Sequence, residues 1–324
     1  MAARLPRRIL LTGGTGSLGR AILEFLVDHR GSRVLALRRR GGRRLPELPS
    51  VREHTVNFAS PASLANAFAS FRPDAVIHAA ATGMEIPRPP LLTLVDANVM
   101  LPLRLLQAAS RIRGLHFVMV GTGLAYRDQG RPLREEDPLG TVHPYAATKA
   151  AADLLLRSAA PALGVRLTVL RPFSFTGPGD EGTRLFPSIL RAAEVGKRIS
   201  LTGGRQVRDF LSSRDVAAGV LAALRHPPAS PAKPAVYNLG SGQALALRQV
   251  ISKVVRQLGL HVKLGFGERT TDPREPPFLV ADIRQAVRDL DWGPREGLAH
   301  AVWRLARSSF PGLELREPGC HPRD

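Results

Sequence analysis

Residues 12–19 read Thr-Gly-Gly-Thr-Gly-Ser-Leu-Gly, and no other stretch of the chain restricts the fold as strongly. The apolar run Ile9-Leu10-Leu11 feeds into it, and a helical apolar period leaves it from Ser17 onwards. Gly13, Gly16 and Gly19 have no side chain, so the turn can be tight and an anion can come up against the backbone. The following helix offers unpaired N–H groups and the positive end of its dipole to the same point. A glycine triplet alone also fits an ordinary strand-to-helix turn. The strand before it and the helix after it turn the reading towards a dinucleotide pyrophosphate cradle. Gly13, Thr15, Gly16, Ser17, Leu18 and Gly19 are the expected cofactor contacts of the loop.

The rest of the first half repeats the same alternation. Apolar runs at 9–12, 34–37, 75–78 and 117–120 read as buried strands, with helical spacing over 17–29, 61–71 and 90–111. A helix over 144–160 and a strand over 166–170 follow. This pattern predicts an α/β, Rossmann-type doubly wound parallel sheet with helices on both faces. After Arg171 proline, glycine and arginine become frequent and the alternation loosens, with one more strand expected over 236–239. The expected division is a dinucleotide-binding domain from 1–172 plus 212–240 and a smaller, less regular C-terminal substrate lobe from 173–211 plus 241–310. The polar tail 311–324 is expected to be loosely held.

The end of the second strand bears on the cofactor. An acidic residue there would bond the ribose hydroxyls of NAD. This chain has Arg38-Arg39-Arg40, and a guanidinium can hold a 2′-phosphate through two parallel hydrogen bonds. Arg38, then Arg39, are therefore the expected phosphate ligands, with NADP ahead of NAD. Further along, Tyr145 and Lys149 stand four apart in a helical pattern and share one helix face. A tyrosine phenol ordinarily ionises near pH 10, and a neighbouring ammonium favours the phenolate, which suits proton transfer at neutral pH.

Taken in order, the motifs resemble the extended short-chain dehydrogenase/reductase family, its NAD-dependent epimerase/dehydratase group, over about residues 8–310. Besides the glycine loop and the Tyr145/Lys149 pair, the resemblance rests on Val76-Ile77-His78-Ala79-Ala80-Ala81, Asn98 in Asp-Ala-Asn-Val, and Leu170-Arg171-Pro172-Phe173-Ser174 with Gly177-Pro178-Gly179. It continues through Arg208-Asp209-Phe210, Asp215-Val216-Ala217 and Tyr237-Asn238-Leu239-Gly240-Ser241-Gly242. The resemblance implies that Thr122 is the hydroxyl partner of Tyr145 and that Lys149 also bonds the nicotinamide ribose. It implies cofactor contacts at Ala79, Ala80, Asn98 and Asn57, the last where the family often has aspartate. Arg208 and Arg269 correspond to its diphosphate-binding arginines, and Thr82 and Ser174 are further substrate candidates. Arg127 stands where the family usually has glycine. Family members commonly dimerise through helices matching about 90–111 and 144–160, so a homodimer is expected.

Missing residues narrow the reaction. Dehydratases of this family carry Asp-Glu directly after the catalytic hydroxyl residue; Gly123-Leu124 stand there and cannot move a proton. The cysteine of the bifunctional epimerase/reductases has no counterpart, since Cys320 is the single cysteine. The leading expectation is NADPH-dependent reduction of the 4-keto group of a nucleotide-linked (6-deoxy)hexose, with Tyr145 as general acid. The alternatives are a nucleotide-sugar 4-epimerase on retained NAD and, in another class, a non-catalytic dinucleotide sensor or RNA-binding scaffold. The last arises because the formal net charge is +19. Only five of the 46 basic residues are lysines, and the arginines are dispersed without a recognition motif, which argues against nucleic acid as a specific partner. No uninterrupted apolar run approaches the roughly 20 residues of a membrane span. The basic N-terminus leads straight into the first strand, so a cytoplasmic protein is expected. No metal site is expected, and a lone cysteine supports no disulfide within the chain.

Overall fold

Every apolar run of the first half becomes a strand of one parallel sheet. The computed structural model describes residues 4–29, 31–83, 89–141 and 143–319. Its first half runs β1 (Arg8–Thr12), α1 (Ser17–Asp28), β2 (Arg33–Arg39), β3 (Val51–Val56), α2 (Pro61–Phe71), β4 (Ala75–His78), α3 (Leu91–Val95), α4 (Leu101–Ala109), β5 (His116–Val120), α5 (Pro144–Ala162) and β6 (Arg166–Pro172). A π-helical turn, Asp96–Met100, joins α3 to α4. The second half runs β7 (Ser174–Thr176), α6 (Leu185–Glu194), β8 (Arg198–Leu201), β9 (Val207–Arg208), β10 (Phe210–Ser212), α7 (Ser213–Arg225), β11 (Ala235–Leu239), β12 (Leu245–Ala246), α8 (Leu247–Leu258), β13 (Lys263–Phe266), β14 (Phe278–Leu279), α9 (Arg284–Leu290) and α10 (Leu298–Ser309).

The large sheet has the order β11-β6-β5-β4-β1-β2-β3. Its strand order reverses between β1 and β4, which leaves a crevice at their carboxyl ends, the usual ligand position of an open α/β sheet. Period-two alternation divides the core into two layers. Ile9 and Leu11 face a cluster with Ile22, Val216 and Val220 of α1 and α7. Leu10 faces the opposite cluster, with Leu64, Leu105 and Leu156 of α2, α4 and α5. The helical stretch Leu91–Ala109 has the length and apolarity of a membrane span. Here it packs in the second layer through Leu101, Leu105 and Leu106 and carries the buried Asn98.

β3 was not anticipated. Its sequence, Val-Arg-Glu-His-Thr-Val, has four exposed central residues and no apolar run, as befits an edge strand protected by charge. β2 also runs past its apolar residues: Arg38 and Arg39 lie within it, opposite Thr55 and Val56. A third cluster, including Phe186, Leu190, Val254 and Leu305, forms the core of the second half. Leu313 and Leu315 pack against that cluster, and Arg316 N donates to Leu258 O at 2.9 Å. The start of the tail is therefore tied down rather than loose. Cys320 lies outside the described residues.

Candidate active site

The glycine cradle closes on the exit of β4. Gly13 has φ +80°, and a Cβ there would lie 2.5 Å from Ala80 N and 2.6 Å from Ala79 C. A Cβ on Gly19 would overlap Gly13 O. Ala79 N donates to Thr12 O at 3.1 Å, which fixes the two strand ends together. α1 starts at Gly16 with no side-chain cap and no acidic residue in its first turn. Its first N–H groups and the positive end of its dipole are thus neither capped by a side chain nor offset by an acid of that turn. These residues fit a dinucleotide pyrophosphate. Thr15 is half-buried, while Leu18 belongs to the core, so only its backbone can serve a ligand. A loop from the second half roofs the cradle: a Cβ on Gly179 would come 3.3 Å from Ser17 Cα, and Glu181 pairs with Arg43 at 2.8 Å.

The arginines of β2 do not behave alike. Arg38 donates to Thr55 Oγ1 at 3.1 Å and to Gly42 O at 3.2 Å, and its Nε lies 3.6 Å from Glu53 Oε2. Its guanidinium is therefore committed to β3 and the following turn, because β2 extends beside β3 instead of ending before the arginines. Arg39 is exposed. Asn57 is exposed as well, and its Oδ1 accepts from Ala59 N at 3.0 Å, closing its own turn.

β5 and α5 assemble the catalytic candidates. Lys149 Nζ donates to Val120 O at 2.6 Å, two residues before Thr122. Burial pushes the Lys149 ammonium down to about 8, opposed in part by the charge of Asp153. Thr122 is buried, and its Oγ1 accepts from Leu124 N at 3.2 Å. Tyr145 is half-buried one helical turn before Lys149, with its ring edge-on to His143 at 6.2 Å. The strand exit runs alongside it: a Cβ on Gly83, at φ +118°, would lie 3.2 Å from Tyr145 Cδ2. Gly123 is shut in as well, since a Cβ there would lie 2.7 Å from the Phe173 ring.

Asn98, expected as a cofactor contact, is placed otherwise. Its Nδ2 donates to Thr82 O at 2.8 Å and to Thr148 Oγ1 at 3.0 Å, and its Oδ1 accepts from Thr82 N at 3.0 Å. Both amide protons are used within the protein. Thr148 Oγ1 in turn donates to Tyr145 O at 2.8 Å. Asn98 thus fastens the Thr82 backbone to the first turn of α5. The π turn brings it there, and residue spacing alone gives no sign of such a turn.

Two further groups escaped the sequence reading. His78 ends β4 fully buried, with Nδ1 2.8 Å from Thr12 Oγ1. Burial first, and the Lys149 charge second, push its imidazole down to about 3, so it stays neutral. Arg171 is buried and donates to Asp153 Oδ2 at 2.7 Å, Tyr126 OH at 2.6 Å and Glu135 O at 3.0 Å. Tyr126 OH passes the chain on to Asn238 Oδ1 at 2.7 Å. Burial raises the Tyr126 phenol to about 12 despite the Arg171 charge. The network anchors the loop after Thr122. Arg127 sits there without positive φ and donates its N–H to Pro138 O at 3.0 Å, so no glycine is needed.

On the substrate side, Ser174 lies on β7 beside Phe210 of β10. Arg208 is buried on β9 and pairs with Glu275 at 2.7 Å, whereas Arg269 is exposed and bonds Leu201 O through its backbone. Asp209 is a structural clamp: its carboxylate accepts from Ser241 N and Oγ at 2.6 Å, and from Gly242 N and Ala281 N at 3.1 Å.

Comparison with known proteins places the chain in a family. Residues 9–240 match the NAD dependent epimerase/dehydratase family. A UDP-glucose 4-epimerase of Lactobacillus helveticus is 25% identical, covering 95% of this chain and 99% of its own. A dTDP-6-deoxy-L-talose 4-dehydrogenase (NAD(P)(+)) of Kitasatospora kifunensis is 28% identical over 94% of this chain and 97% of its own. The structure of MoeE5 in complex with UDP-glucuronic acid and NAD superposes with a TM-score of 0.80 at 25% identity, covering 94% of this chain and all of that one (100%). The chain therefore belongs to the NAD dependent epimerase/dehydratase family.

Proposed function

We propose that the protein is a nucleotide-sugar 4-epimerase that works on NAD and takes a UDP-linked hexose. The observation that carries this reading is the state of Arg38. Arginines after the second apolar run favour NADPH-dependent reduction, yet the foremost of them is held by Glu53, Thr55 and Gly42. With Arg38 engaged, the exposed Arg39 is the one of the two expected phosphate ligands that is left. The similar 4-epimerases, and the NAD and UDP-sugar bound by MoeE5, support the same choice.

Gly13, Gly16 and Gly19 with the first turn of α1 would hold the cofactor pyrophosphate, and the Ala79–Ala80 backbone would border it. Bound there, NAD would supply the hydride acceptor and donor that epimerisation at C4 needs. Tyr145 takes the proton of the sugar 4-hydroxyl and gives it back after the sugar has presented its other face. Lys149 places a positive charge beside the tyrosine's helix turn, and Thr122 hydrogen-bonds the reacting oxygen. Gly123 and Leu124 supply no acid or base, so water loss from the sugar has no catalyst at that position. Arg208 would receive the diphosphate, exchanging Glu275 for it, with Arg269, Thr82 and Ser174 around the sugar nucleotide.

The same residues would serve a reductase, and the similarity to a dTDP-sugar 4-dehydrogenase keeps that reading alongside. Incubation with UDP-glucose or UDP-glucuronate and catalytic NAD separates the two. The C4 epimer should appear without build-up of reduced cofactor. Absence of epimer, with stoichiometric consumption of NADPH by a nucleotide-linked 4-keto-6-deoxyhexose, would establish the reductase instead. A pair of exposed apolar surfaces also supports a homodimer: Leu91, Leu92 and Met100 on one helical stretch, Leu154 and Leu155 on α5.

A further inference from the structure

The amino-terminal edge of the large sheet, opposite the glycine cradle, holds an open cavity of about 950 Å³. Five of the arginines in its wall come from four separate parts of the chain: Arg72 at the end of α2, Arg111 and Arg113 after α4, Arg166 at the start of β6 and Arg225 at the end of α7. Among the described residues none of the five has a carboxylate within ion-pair distance, although arginines elsewhere do, such as Arg131, Arg184 and Arg284. The single carboxylate in the wall, Asp74, is taken by Arg8: the guanidinium lies 3.7 Å away and the backbone N–H donates at 2.9 Å.

Arginines at helix ends often do no more than offset the helix dipole. Three helices end here, and each C-terminus carries about −0.5 of a charge. That offsets about −1.5 against five positive charges, so most of the cationic field is unmatched. A concave wall with one sign of charge concentrates that field on whatever enters. Two buried polar atoms in the wall also lack a hydrogen-bond partner, His116 Nδ1 and Arg166 Nε. His116 Nε2 lies 2.9 Å from Thr168 Oγ1, and burial keeps the ring neutral. Phe68, Ile112, Leu115 and Leu224 give the cavity an apolar side. Its volume is that of a site for a drug-sized molecule and far exceeds the needs of a bare phosphate.

We propose that this cavity is a second ligand site, for a nucleoside polyphosphate whose phosphates meet the arginines and whose base lies on the apolar side or against a guanidinium plane. The site is distinct from the catalytic cleft. β5 runs from His116 in the cavity wall to Val120, whose carbonyl holds Lys149; four steps of about 3.3 Å separate them by about 13 Å. The proposal does not depend on which reaction the cleft carries out.

The test is calorimetric titration of ATP into the protein saturated with NAD and UDP, so that the cleft is filled. One further ATP should bind per chain, with affinity that falls as salt rises. R111E/R113E, at exposed positions, should weaken that binding at least tenfold while NAD affinity and melting temperature stay unchanged. Arg72→Ala should weaken it severalfold and covers the case in which the double variant folds poorly. Tripolyphosphate should bind at least tenfold more weakly than ATP. No additional ATP, or ATP binding unaffected by either variant, overturns the proposal. Equal affinity for tripolyphosphate overturns the nucleotide assignment. Displacement of ATP by a single-stranded oligonucleotide that binds more tightly, through the same arginines, would make the surface a nucleic-acid site instead.

Discussion

Lys149 is a charged side chain in a place that favours a neutral one. Burial lowers its folded-state pKa from 10.5 to about 8, so the folded protein carries a penalty that is fully present below pH 8 and is relieved as pH rises towards 10.5. The penalty is on the order of 3 kcal/mol at neutral pH, less what the Val120 hydrogen bond returns. Lys149→Met should therefore abolish turnover yet melt no lower than the native protein at pH 7, with a stability gain of about 1–3 kcal/mol that fades above pH 8. Differential scanning calorimetry of the cofactor-free protein across pH checks this; a variant that is clearly less stable at pH 7 would mean that the ammonium is well solvated. Tyr145→Phe should leave NAD binding nearly intact and lower kcat at least a hundredfold, which titration and steady-state kinetics can separate. At this scale spacing points to the glycines and to the Tyr145/Lys149 pair, while Thr122 enters only as what the family resemblance implies. The sequence did not show that Arg38 or Asn98 would be occupied, since their partners Glu53, Thr55, Gly42, Thr82 and Thr148 come into reach only once β3 and the π turn form.

Among the elements, the loop after β5 is held by buried polar contacts. It carries Thr122, and Arg171 of β6 holds it through Tyr126 and Glu135 while pairing with Asp153 of α5, the helix of Tyr145 and Lys149. Arg171→Met leaves the Asp153 carboxylate buried without that partner, a change that typically costs about 3–5 kcal/mol. Chemical denaturation should show that loss; a change under about 1 kcal/mol would mean that Arg157, which also pairs with Asp153, suffices. Most strands and helices of the first half could be read to within about two residues, because fully buried strands and amphipathic helices write different periods. β3 could not, since an edge strand paired on one side can be charged throughout. The short strands of the second half, two to four residues each, are too brief to carry a period.

At the scale of the whole molecule, two surfaces formed by the described residues bear on partners. The apolar one, on Leu91–Ala109 and α5, predicts a dimer: L154E/L155E should convert it to monomer in sedimentation velocity, and a native protein that is monomeric at micromolar concentration would contradict this. The other is the cationic cavity at the amino-terminal edge of the sheet, which absorbs part of a +19 charge that the cleft does not use. Composition announced that charge without locating it, because placing Arg72, Arg113 and Arg225 around one cavity requires the fold. In the proposed cycle, hydride leaves C4 of a nucleotide sugar for NAD and returns to the same carbon. A UDP-hexose carrying deuterium at C4, incubated with substoichiometric NAD, tests it most directly. The C4 epimer should appear with its deuterium retained and with no net reduced cofactor. Loss of deuterium to free reduced cofactor, or turnover that begins only when NADPH is supplied with a 4-keto sugar, would contradict it.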